Sequence, residues 1–119
     1  MMYSLRIISY NCRSFNTNSV IISSLLENCD VVLLQETLLN NDTSHLLDSL
    51  NANFNSFSVP SSRDASNFSG RSSGGLAILF RKMSNISFKQ VFSTNRIQGV
   101  KISIENKIYL LVNVYCPCD

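Results

Sequence analysis

A chain of 119 residues, 45% of them apolar, is long enough to bury one core and too short for two domains. Ten Lys and Arg against eight Asp and Glu leave a formal charge of +2, which excludes a supercharged surface and by itself demands no polyanionic partner. No run approaches the ~20 consecutive apolar residues of a membrane span. The N-terminal Met-Met-Tyr-Ser-Leu-Arg also lacks the features of a signal peptide, so an intracellular protein with no membrane partner is expected.

Residues 4–10 alternate in polarity and end on Tyr10-Asn11, as a first strand running into a loop does. Asn16, Thr17 or Asn18 can cap a helix running to about Glu27, with Val20, Ile21, Leu25 and Cys29 near one face. The run from Asp30 to Glu36 is apolar throughout its middle, as in a strand covered on both faces. Strand, helix and strand at this spacing predict a parallel β-α-β unit.

A second helix is predicted from about Asn41-Asp42 to Leu50, carrying Leu46, Leu47, Leu50 and the single histidine, His45. A short strand near Phe54–Val59 precedes a Ser-, Asn- and Gly-rich stretch from Pro60 to Gly75, read as a long loop. Apolar runs follow at Leu76–Phe80, Ile86–Phe92, Ile97–Ile104 and Lys107–Tyr115, the last two joined by a tight hairpin at Glu105-Asn106. Because several strands are apolar at nearly every position, both faces of the sheet need covering, and two helices cover only one. The expectation is an exposed sheet face that waits for a further layer, such as a second sheet roughly 10 Å away.

The cysteines, Cys12, Cys29, Cys116 and Cys118, do not suit a secreted disulfide framework in a chain with this much apolar core and read as thiols. Cys116-Pro117-Cys118 has the wrong spacing for a zinc knuckle, and His45 is distant in sequence. From Arg63 to Lys101 the chain is locally basic, with Asp64 its one acid, a pattern that fits a solvated face as well as a nucleic-acid contact.

Four segments in order resemble the endonuclease/exonuclease/phosphatase superfamily, of DNase I-like fold. Ser9-Tyr10-Asn11-Cys12-Arg13-Ser14 is similar to its first strand and catalytic Asn, in the version found in the apurinic-endonuclease-like domain of non-LTR (LINE-type) retrotransposons. Asp30 to Thr37, ending Gln35-Glu36-Thr37, resembles the metal-site strand. Gly74-Gly75-Leu76-Ala77-Ile78 resembles the Gly-Gly-x-Ala-Ile strand, and Asn113-Val114-Tyr115-Cys116-Pro117 the Asn-x-Tyr-x-Pro segment. Each motif alone is weak; four in sequence, each at a strand end, are specific.

The resemblance implies an α/β fold, the N-terminal half of a DNase I-like four-layer α/β sandwich with a mixed sheet and two helices on one face. Residues 1–119 would form a single partial domain ending after the Tyr-x-Pro segment. It implies Asn11, Glu36 and Tyr115 as catalytic residues, Glu36 and Asn11 as ligands of Mg²⁺ (or Mn²⁺), and DNA as partner, with a nuclear location if the retrotransposon likeness holds. An acid closing an apolar strand suits Mg²⁺, which takes one or two carboxylates with waters and phosphate. Asn113 is expected to line the same pocket, and Arg13 and Arg71 to contact phosphate.

Some DNA-repair members carry an acid two positions after the Asn, where this chain has Arg13, so that auxiliary metal contact is not expected here. The family's Asp-x-Asn and Asp-His segments have no counterpart in these residues, and His45 lies outside the matching positions. The expected function is therefore DNA nicking by a Mg²⁺-dependent phosphodiesterase, with the chain inactive alone. Alternatives are a non-catalytic remnant or binding module, joining its missing half or a second copy through the exposed sheet face, and a phosphodiesterase or phosphatase acting on sphingomyelin, inositol phosphate or RNA.

Overall fold

The structure, a computed structural model, describes residues 4–61 and 74–116. The predicted loop from Pro60 to Gly75 lies mostly outside them, and with it Arg63 and Arg71. Strands β1 (Ile7–Asn11), β2 (Val31–Gln35), β3 (Phe54–Val59) and β4 (Leu76–Arg81) form a mixed sheet in the order β1-β2-β4-β3. The β1 and β2 strands are parallel, with Asn11 opposite Gln35, as the β-α-β reading requires. On β4, antiparallel pairing runs to both β2 and β3.

Residues alternate across the two faces of a strand, and β2 and β4 divide their side chains accordingly. Val32, Leu34, Ala77 and Leu79 face helix α1 (Phe15–Leu26) in a core with Phe15, Ile22 and Leu26. Val31, Leu33, Ile78 and Phe80 face the other way, onto Ile86, Val100 and Ile102. Those last residues belong to a second, antiparallel sheet, β5 (Ile86–Ser93), β6 (Ile97–Ile104) and β7 (Lys107–Val114), ordered β5-β6-β7.

The chain thus supplies its own second layer, and the inner face of the first sheet is covered, not exposed as the count of helices suggested. Apolar density along β7 has a different cause from burial on both sides. Its outward row, Ile108, Leu110, Val112 and Val114, remains exposed, at 66% for Ile108.

Two helix expectations are corrected. Helix α1 begins earlier, capped by Ser14, whose Oγ accepts from Thr17 N at 3.4 Å. Its buried stripe is Phe15, Ile22 and Leu26, while Val20 is 82% exposed. Asn18 leaves helical φ/ψ while its N–H still donates to Ser14 O, and its side-chain Nδ2 donates to Cys12 O at 2.6 Å, which fastens the helix start to the end of β1. The second predicted helix is only a 3₁₀ turn, Ser44–Leu47, with His45 exposed. The predicted segment is capped as a helix start would be, with Asn40 Oδ1 accepting from Asp42 N and Thr43 N, yet the regular part ends after Leu47.

At the opposite end of the sheet from Glu36, Arg81 donates to Leu26 O and Cys29 O, both at 3.0 Å, and lies 3.5 Å from Asp30. Leu26 O closes the last turn of α1 and Cys29 O follows it, so a cation meets the negative end of the helix.

Candidate active site

The parallel strands β1 and β2 end side by side, and both leave the sheet through left-handed backbone. Arg13 has φ 53 and Ser14 φ 131 after β1; Glu36 has φ 57 and Leu38 φ 59 after β2. Such non-glycine conformations cost about 1–3 kcal/mol each and persist only where the surroundings hold them.

What holds the β2 exit is the start of β4. Thr37 N donates to Gly75 O at 3.1 Å and Leu38 N to Gly74 O at 3.0 Å, while Phe15 N donates to Thr37 O at 3.0 Å. Gly75, at φ 92, passes so close that an added Cβ would strike Thr37 Oγ1 and come within 3.1 Å of Leu38 N. The Gly-Gly and Gln-Glu-Thr motifs are therefore two sides of one clamp.

The positive φ of Glu36 breaks the alternation of the strand. Along β2, Val31 and Leu33 face the second sheet and Val32 and Leu34 face α1. Continued regular strand would point residue 36 toward the helix. Instead its half-buried carboxylate meets Tyr115, just past the end of β7, whose Oη donates to Glu36 Oε1 at 2.8 Å. A hydroxyl donating to an ionised acid is a charge-assisted bond, stronger than a neutral one.

Asn11 closes β1 in the register position beside Gln35 and is exposed; its Oδ1 accepts from Arg13 N at 3.3 Å. Arg13 is likewise exposed. The sequence-predicted Asn11, Arg13 and Glu36 thus stand at the neighbouring ends of β1 and β2, the strand-end crevice, and the geometry joins Glu36 directly to Tyr115. Arg71 lies outside the described residues.

Asn113 is placed otherwise than expected. It is 1% exposed and buried between the sheets, where Gln35 Nε2 donates to its Oδ1 at 2.7 Å. Its own Nδ2 reaches Leu34 O, Ala77 O and Gln98 Oε1. With its amide turned to protein partners, it lies beneath the crevice and does not line it.

Some neighbours of the site were not singled out as site residues by the sequence, although Cys12 lies within the first motif. Cys12 is fully buried, its Sγ 3.4 Å from Gln35 O and 3.5 Å from Glu36 O. Burial raises its thiol pKa, and the charge of Glu36 adds to the rise, so it is a protonated donor and not a metal ligand. Arg96, in the turn between β5 and β6, is exposed and accepts from Tyr115 N through its carbonyl at 2.8 Å. Only the pairing of β6 with β7 brings it to the crevice.

As a cation site the crevice offers one carboxylate and one amide, a hard oxygen donor set that suits a divalent ion keeping several waters. Among the described residues no three His, Cys, Asp or Glu side chains cluster. A cleft of about 510 Å³ beside Phe54, Phe57 and Phe80 lies toward the other end of the sheet and is unconnected with these groups.

Solved structures share this fold at low sequence identity. The AP endonuclease LMAP from Leishmania major matches with a TM-score of 0.71 and 17% identity, over 93% of this chain and 40% of that one. A Neisseria 3′ phosphatase bound to a product DNA hairpin matches at 0.63 and 18%, over 95% and 42%. The endonuclease domain of TRAS1, a telomere-specific non-LTR retrotransposon, matches at 0.53 and 17%, over 96% and 45%. The chain therefore spans less than half the length of these structures and shares their fold. Comparison with curated proteins returned no match. The sequence profile described as "Endonuclease/Exonuclease/phosphatase family" matches residues 8–117, nearly the whole chain, and the chain belongs to that family.

Proposed function

We propose that this chain carries the cation-binding part of a Mg²⁺-dependent phosphodiesterase that acts on DNA, of the nicking type found in non-LTR retrotransposons. The observation behind this reading is the Glu36–Tyr115 pair at 2.8 Å, set at the C-terminal edge of a parallel strand pair. Glu36 and Asn11 would hold the ion, with Mn²⁺ able to replace Mg²⁺. When bound, such an ion supplies charge stabilisation to the phosphoryl and leaving oxygens. Tyr115 Oη, by donating its one proton to Glu36 Oε1, would fix the rotamer of the carboxylate that holds the ion.

DNA as substrate is supported by the neighbours, among them an AP endonuclease and an enzyme bound to a DNA hairpin. The TRAS1 likeness and the Asn-Cys-Arg-Ser motif support the retrotransposon type, which would place the protein in the nucleus.

A second reading is a module of the same fold that binds without turnover, favoured by there being no cluster of three His, Cys, Asp or Glu side chains among the described residues. Two measurements separate these. Calorimetric titration with Mg²⁺ should show binding that Glu36→Gln abolishes; unchanged binding in the variant would sink the cation assignment. Nicking of supercoiled plasmid by residues 1–119 is expected to be no greater than by Glu36→Gln. A clear excess would show a self-sufficient enzyme and overturn the reading that the chain is inactive alone.

A further inference from the structure

Between two otherwise apolar faces runs a chain of buried amides. Ser9 Oγ accepts from Gln35 Nε2 at 3.0 Å, and the same nitrogen donates to Asn113 Oδ1 at 2.7 Å. Asn113 Nδ2 then donates to Leu34 O at 2.9 Å, Ala77 O at 3.2 Å and Gln98 Oε1 at 3.3 Å. Finally, Gln98 Nε2 donates to Phe57 O at 2.9 Å and Gln90 Oε1 at 2.8 Å. Gln98 is fully buried, Asn113 is 1% exposed and Gln35 is 9% exposed.

Polar groups are costly in such a layer. An amide left without a partner there costs about 1–3 kcal/mol, and even a satisfied one gains little over an apolar side chain of the same shape. What an amide adds is direction. Apolar contact between two sheets tolerates sliding, whereas hydrogen bonds of this length permit one register.

The location gives that register a purpose. Gln35 immediately precedes Glu36, and Asn113 stands two residues before Tyr115 on the same side of β7. The two strands belong to different sheets and share no backbone ladder. A slide of a single residue step, about 3.3 Å, would leave Tyr115 Oη out of reach of Glu36.

We infer that Gln35 and Asn113 are positioning residues, which lock the second sheet onto the first so that Tyr115 is held against Glu36. This rests on the reading of Glu36 and Tyr115 as site residues, but it concerns their geometry and can fail separately from that reading. Neither amide touches substrate. Both act through the residues that follow them in the chain.

The test is carbon-13 NMR of the Glu36 side-chain carboxyl in the 119-residue chain, which needs neither metal nor turnover. Tyr115→Phe sets the size of the shift that accompanies loss of the 2.8 Å bond. Asn113→Leu and Gln35→Met should each reproduce at least half of that shift, with the amide fingerprint of the fold retained. Arg81→Met, which loosens the far end of the sheet, should lower the melting temperature without moving the Glu36 signal.

Folded Asn113→Leu and Gln35→Met variants with a wild-type Glu36 resonance would overturn the inference. So would failure of both to fold, because the amides would then hold the fold as a whole and not one pair within it. If Asn113→Leu alone fails, Gln35→Met decides by the same criterion. Loss of Mg²⁺ binding by Glu36 is a separate measurement, and its outcome bears on the functional reading alone.

Discussion

Tyr115 Oη donates to Glu36 Oε1 at 2.8 Å across 79 positions of sequence and between two different sheets. A partner that orients a metal-ligating carboxylate typically carries about 10–100-fold in metal affinity. Tyr115→Phe should therefore weaken Mn²⁺ or Mg²⁺ binding by that order while leaving the fold intact, since the ring still fills its space. Calorimetric titration measures it, and an affinity equal to wild type would show that the phenol does not orient the acid.

The clamp between the ends of β2 and β4 makes the two glycines unequal. Gly75→Ala meets both a positive φ of 92 and the Thr37 side chain and Leu38 backbone. At Gly74, φ is 79, but nothing lies nearer than Asn95 O at 4.0 Å. Both substitutions carry backbone strain of about 1–3 kcal/mol, and Gly75→Ala should cost measurably more because its Cβ strikes Thr37 Oγ1 and crowds Leu38 N, a backbone atom that cannot rotate away. Urea denaturation of the two variants gives the order; Gly74→Ala as the more damaging change would contradict the clamp.

Burial raises the Cys12 thiol pKa above its ordinary 9.0, and it does the same for Cys29, with Asp30 adding to the effect. The folded state therefore holds these protons more tightly than the unfolded chain. Stability from this source is fully present below about pH 9.0 and is lost as pH rises through the raised folded values. Denaturation midpoints between pH 8 and pH 10, on the order of the ordinary thiol pKa, should fall more steeply for wild type than for Cys12→Ala. Equal slopes would place the pH dependence elsewhere. At neutral pH, exposed Cys116 should react with a thiol reagent well before buried Cys12.

On the outward face of β7, Leu110 is 58% exposed and Ile108 is 66% exposed. Leu110→Lys and Ile108→Lys should change unfolding free energy by only about 0.5 kcal/mol and raise solubility. A loss of several kcal/mol in either would mean that this row is buried in solution.

The strand-end positions of Glu36 and Asn11 were legible in the sequence, since Glu36 closes an apolar run and Asn11 an alternating one, and the end of such a pattern is a local property. The parallel β1–β2 pair was legible for the same reason: strand, helix and strand at that spacing leave little choice of hand or direction. The family likeness was legible because its motifs sit at those strand ends. By contrast, the start of α1 and the extent of helix after Asn40 were not legible. Ser14 and Asn40 cap nearby N–H groups and Asn18 bonds back to Cys12 O, and composition does not say which of several candidate caps is used or how far a capped segment runs.

Only the tertiary structure decided what covers the first sheet and what Asn113 does. An apolar strand records that burial is wanted without recording by which layer, so β5 to β7 could be read as further strands of one sheet or as the second sheet they are. A polar residue two positions before Tyr115 looks the same whether it faces a phosphate or another amide. Hydrophobic pattern and strand-end chemistry are encoded within a few residues, and the sequence by itself determined those. The Gln35–Asn113 contact and the Glu36–Tyr115 bond join residues more than seventy positions apart. They exist only once two sheets have packed in one register.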